Sequence, residues 1–90
     1  MTHAEQDALI EEVAAGVEWT RSALDRPEGK TEVFSAVVAE HTISLSRITV
    51  RGMTACYGVV AKGNNLRVMR TETAQRVIAG LDALDQTRPH

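Results

Sequence analysis

Apolar positions recur at helical spacing towards both ends of the chain and lose that spacing in the middle. Near the start, Leu9, Ile10, Val13, Val17 and Leu24 fall within a stripe about 100° wide when each residue advances by about 100°. Thr2 and Glu5 stand in capping-box spacing ahead of this stripe, and Pro27 and Gly29 close it. The pattern predicts a first helix over about residues 3–25. A second, over about 72–86, follows from Ala74, Val77, Ile78, Leu81 and Leu84, with Thr71 or Thr73 as its cap. Glu72 lies near the positive end of its dipole. Gly80 falls mid-helix at a cost of about 1 kcal/mol relative to Ala, which suggests a close helix contact. Thr87-Arg88-Pro89-His90 reads as a frayed tail.

Between the helices the pattern turns to β-branched residues. Thr31, Val33, Val37, Val38, Thr42, Ile43, Ile48, Thr49 and Val50 argue for strands over about 32–39 and 42–51. Phe34, Val37, Val38, His41, Leu45 and Ile48 also fit a helical stripe, so a helix across part of 32–48 is the competing assignment. Within the second strand, Ile43 and Leu45 alternate in one phase and Ile48 and Val50 in the other. A bulge near Ser46-Arg47 would reconcile the two phases.

Strands over about 54–62 and 65–70 flank the turn Lys62-Gly63-Asn64-Asn65. With Gly63-Asn64 as a two-residue loop, Ala61 faces Leu66 and Val59 faces Val68. With Asn64-Asn65 as the loop, Lys62 would face Arg67, and like charges opposite each other are destabilising. The first register is therefore expected, with Val59, Ala61, Leu66 and Val68 on the core side and Lys62 and Arg67 on the open side.

The order α-β-β-β-β-α predicts one α+β domain spanning residues 1–90. Its antiparallel sheet has three to four strands, and the N- and C-terminal helices pack on one face. The other face is left open or covered by a partner. Read as α-β-β-β-α, the order is similar in topology to that of double-stranded RNA-binding domains. The start of the second helix, Thr71-Glu72-Thr73-Ala74-Gln75-Arg76, lacks that family's basic character, and the resemblance ends at topology.

Charge changes this picture more than composition does. Residues 1–46 carry nine acidic and three basic side chains, and residues 47–90 carry seven basic and three acidic. Such asymmetry calls either for an acidic partner on the basic half or for neutralisation of one half by the other. Arg47, Arg51, Lys62, Arg67 and Arg70 are the expected partner-binding residues, gathered on a basic sheet face. The expected partner is a protein with an acidic surface, contacted through bidentate arginines. The alternative is nucleic acid bound by the same face, with Tyr57 or Trp19 available for stacking.

A narrower stripe of Ala8, Ala15, Trp19 and Ala23 lies on the back of the predicted first helix. Small residues admit a neighbouring helix, and tryptophan is enriched at interfaces, so this stripe is the expected homodimer contact.

Catalytic chemistry is sparse. His3, His41 and His90 are far apart, and Glu40, His41 and Cys56 lack ligand-like spacing, so no metal and no cofactor are expected. Cys56 is the sole cysteine, which excludes a disulfide framework and favours a packed thiol over a nucleophile. Gly52, Gly58 and Gly63 form no phosphate loop, and the carboxylates Glu11, Glu12 and Glu18 read as a solvated helix face. No segment approaches the ~18–20 apolar residues that cross a bilayer. The sequence thus predicts a small, non-catalytic, cytoplasmic interaction or regulatory module, of the kind seen in inhibitors, immunity proteins, antitoxins and phage accessory proteins.

Overall fold

In a computed structural model, which describes residues 2–87 and side chains through Leu84, helix α1 (His3–Val13) runs into a short 3-10 turn at Ala14–Gly16. Five strands follow: β1 (Thr20–Arg26), β2 (Gly29–Val38), β3 (His41–Val50), β4 (Met53–Lys62) and β5 (Asn65–Val68). Helix α2 (Thr71–Thr87) closes the domain. The fold is α+β as expected, with five strands where three to four were predicted. Residues 88–90 of the expected tail lie outside the described residues.

The extra strand comes out of the predicted first helix. Thr2 caps α1 as its spacing suggests, its hydroxyl accepting from the Glu5 amide at 3.2 Å. The helix then stops eleven residues later, where Gly16 interrupts the periodic run. The Trp19 indole N–H donates to the Ala14 carbonyl at 2.9 Å, satisfying one of the acceptors that a helix end leaves without a partner. Val17 is already extended, and residues 20–26 pair along β2 as an edge strand.

Short loops impose the strand order. Each of the four connections spans two residues: Pro27-Glu28, Ala39-Glu40, Arg51-Gly52 and Gly63-Asn64. Two-residue loops join only antiparallel neighbours, so the chain meanders in the order β1-β2-β3-β4-β5. Arg51 and Gly52 both take positive φ, as a type I′ turn requires. Gly29 permits a close approach: a Cβ there would sit 2.0 Å from the Thr49 carbonyl oxygen.

The β2–β3 and β3–β4 ladders run without interruption, so the bulge expected near Ser46-Arg47 is absent and 32–48 is not helical. β3 keeps one phase along its length. Ile43 and Leu45 therefore face one side of the sheet, and Ile48 and Val50 face the other.

Both helices pack on the first side. Ile10 and Ala14 join Phe34, Ile43, Leu45, Cys56, Val60 and Met69, and α2 adds Ala74, Val77, Ile78 and Leu81. The α2 stripe is as expected except for Leu84, which is exposed. Nothing lies within 4 Å of a Cβ placed on Gly80, so the expected close helix contact is absent among the described residues.

Candidate docking face of the sheet

The register assigns every strand residue to one of two faces, because directly opposed residues point the same way. Phe34 opposes Arg21 and Leu45, and Leu45 opposes Gly58. These residues define the helix-covered side, together with Glu32, Arg47, Cys56, Val60, Lys62 and Arg67. The other side carries Leu24, Val33, Val37, Ile48, Val50, Met53, Tyr57, Val59, Leu66 and Val68 among serines, threonines and alanines. Between the ends of the strands it bears no charged residue.

This open side is where the exposed apolar surface gathers. Seven of the nine large hydrophobics found exposed lie on it, including Met53 at 77%, Val68 at 74%, Leu66 at 72%, Val37 at 66% and Tyr57 at 53%. An antiparallel sheet with one solvated face ordinarily alternates apolar-in and polar-out. Here both faces carry apolar residues, and the outward ones are exposed.

The hairpin register matches its prediction: Lys62 opposes Asn65, Ala61 opposes Leu66 and Val59 opposes Val68. Its facing is the reverse of that expected. Lys62 and Arg67 point to the helix side, while Val59, Ala61, Leu66 and Val68 point outward. The physical reason lies in α1, whose buried Asp7 draws Arg67 inward.

The five predicted partner-binding residues consequently share no open face. Arg47 is gripped on the covered side: Nε and Nη2 donate to the two Glu32 oxygens at 2.8 and 2.9 Å, and Nη1 donates to Asp82 Oδ2 at 2.5 Å. This fork holds the Glu32 carboxyl below its usual range, and the two carboxylates raise the Arg47 pKa further. Arg67 Nη2 lies 2.6 Å from Asp7 Oδ1, and Arg70 Nε lies 3.6 Å from Asp7 Oδ2. Lys62 pairs with Glu40 at 3.5 Å, and Arg51 sits exposed in the β3–β4 turn.

These contacts resolve the charge asymmetry. Arg47–Glu32, Lys62–Glu40, Arg67–Asp7, Arg70–Asp7 and Arg76–Glu11 each join a base of the second half to an acid of the first. Of the two readings of the asymmetry, neutralisation within the chain is the one seen.

The expected dimer stripe is also dispersed. Ala8 and Ala15 are exposed on α1 and the following turn, Trp19 packs against the core beyond the helix, and Ala23 lies on β1 opposite Glu32. The stripe existed only if the helix continued to residue 25, and it does not.

Cys56 is buried beside Arg47 on the covered side, and burial pushes its thiol pKa up. A recess near the N-terminus of α1 is lined by His3, Gln6, His41, Lys62 and Arg67. Within that lining Arg67 Nε donates to Gln6 Oε1 at 3.0 Å, Nη2 lies against Asp7, and both Nη atoms are closed off from solvent. Among the described residues there is no group of histidine, cysteine and carboxylate side chains placed to hold a metal, and no helix long and apolar enough to cross a membrane.

Compared with known families, curated proteins and solved structures, the chain matches none.

Proposed function

We propose that this protein is a non-catalytic interaction module that works by docking another protein chain on the open face of its sheet. The supporting observation is the concentration of exposed Leu24, Val37, Val50, Met53, Tyr57, Leu66 and Val68 on that one face, with no charge among its interior positions. A partner held here is recognised by shape and apolar area. Of the basic residues on which an acidic protein or a nucleic acid would have docked, Arg47 and Arg67 are turned to the covered side and paired with carboxylates.

Affinity capture tests the reading. Wild-type bait should recover a bound protein from cells that also express an untagged second copy, and so should Glu12→Arg, a change on exposed helix surface. Tyr57→Glu should recover none. Undiminished capture by Tyr57→Glu would remove the open face as the docking site.

A further inference from the structure

We infer that the chain docked on the open sheet face is a second copy of this protein, related by a twofold axis that lies in the interface and runs across the strands. The inference rests on the docking reading above and names its partner.

Self-docking places a condition on charge. In a twofold interface, residues near the axis meet their own copies, so a charge there repels itself. The middle of this face meets the condition: Val33, Ser46 and Tyr57 stand in a row across β2, β3 and β4, all uncharged.

Area is adequate as well. Strands of seven, ten, ten, ten and four residues, at about 3.3 Å per residue and spaced about 4.8 Å apart, outline a flat face of roughly 650 Å². Protruding side chains raise its accessible area towards the ~800 Å² per partner of a standard stable interface. A chain of 90 residues gains much from such cover, since it buries a smaller share of its surface than a larger domain does.

The charges at the ends of the face select the axis. Arg26 closes β1 at one end. Glu18 precedes β1 at the other end, lining a recess with Thr20, Ser35, Val37 and Thr42. An axis across the strands lays β1 antiparallel on its counterpart and brings each Arg26 to Glu18 of the second copy. An axis along the strands would instead lay each β1 over the β5 edge of the second copy and part Arg26 from Glu18.

Sedimentation velocity on the full chain over a wide concentration range tests this. Wild type should reach twice the chain mass of 9.8 kDa. Ser46→Glu and Tyr57→Glu should run as single chains with unchanged circular dichroism. Arg26→Glu and Glu18→Arg should each weaken association on the order of tenfold, and the two together should restore it. A positive readout guards against misfolded variants: Ser46→Cys in a Cys56→Ala background should be joined to a second copy by a short bismaleimide. A wild-type chain that stays single at every concentration overturns the inference while leaving the docking reading to the capture experiment. A dimer that survives both glutamate variants overturns the inference by placing the second copy on another surface, and leaves the docking reading to the capture experiment. A dimer that the charge swap does not restore, or that the bismaleimide does not join, overturns the assigned axis.

Discussion

Asp7 on α1 and Arg67 on β5 lie 2.6 Å apart, although sixty residues separate them in the chain. The carboxylate is wholly buried and the guanidinium is 14% exposed. Asp7 also accepts from the Arg70 amide at 3.1 Å, so one side chain ties α1 to the junction between β5 and α2. Removing one partner of a buried pair strands the other charge, which costs about 3–5 kcal/mol. Asp7→Ala and Arg67→Glu should each lower the unfolding free energy by that order, and the urea midpoint with it, or fail to fold. Asp7→Leu with Arg67→Met should recover much of the loss, because a packed apolar pair leaves no stranded charge. Equal midpoints for wild type and Asp7→Ala would show that the pair contributes nothing.

Arg47 supplies the clearest dependence on pH. Its fork holds the folded-state pKa of Glu32 below the usual carboxylate value. A carboxylate depressed in this way adds stability that is fully present above its unfolded pKa. That stability is lost as pH falls through the unfolded value and on through the lower folded one. Unfolding free energy should therefore drop on acidification, and Glu32→Gln should flatten part of that slope. Arg47→Lys should cost about 1–3 kcal/mol at neutral pH, since an ammonium cannot reproduce a fork across two carboxylates. A pH profile identical in Glu32→Gln and wild type would contradict this account.

The helix-sheet-helix order, four of the five strands, the Gly63-Asn64 turn and the α2 stripe up to Leu81 were legible because each rests on local chemistry. Residues 17–25 misled for a physical reason. Val17 and Leu24 continue the helical period, and only the break at Gly16 and the two-residue loop at Pro27-Glu28 return the chain along β2. The orientation of the β4–β5 hairpin was not legible from either strand, because apolar and basic residues alternate there and α1 decides which set turns inward. One signal did point to the open face. The phase change between Ile43-Leu45 and Ile48-Val50 reads as a bulge only if one side of the sheet is assumed polar. With an unbroken ladder it means a strand apolar on both sides.

Two glycines should respond in opposite directions. Gly29→Ala pushes a methyl group into the Thr49 backbone and should cost more than about 2 kcal/mol. Gly80→Ala meets open space within α2 and should raise stability by about 1 kcal/mol from helix propensity alone. Thermal unfolding of both variants decides the matter, and destabilisation by Gly80→Ala would reveal a close neighbour on the outer surface of α2.

Cys56 should be chemically quiet. Its thiol is buried and its pKa is pushed up, so little thiolate forms near neutral pH. Native protein should react with iodoacetamide far more slowly than urea-unfolded protein, and Cys56→Ala should fold with a loss of about 1 kcal/mol. Rapid native labelling would place the thiol at an accessible site.

The open face should tolerate polarity at its β5 edge if no partner covers it. Leu66 and Val68 are largely exposed in the single chain, and threonine has the β-branched shape that strands favour. In a chain held monomeric by Tyr57→Glu, Leu66→Thr and Val68→Thr should each change stability by less than about 0.5 kcal/mol, as surface substitutions do. In the wild-type background the same changes should cost more. They should also reduce the rise of the melting temperature with protein concentration that accompanies folding coupled to association. Equal costs in the two backgrounds would mean that β5 stays in water and that any partner sits nearer the centre of the sheet.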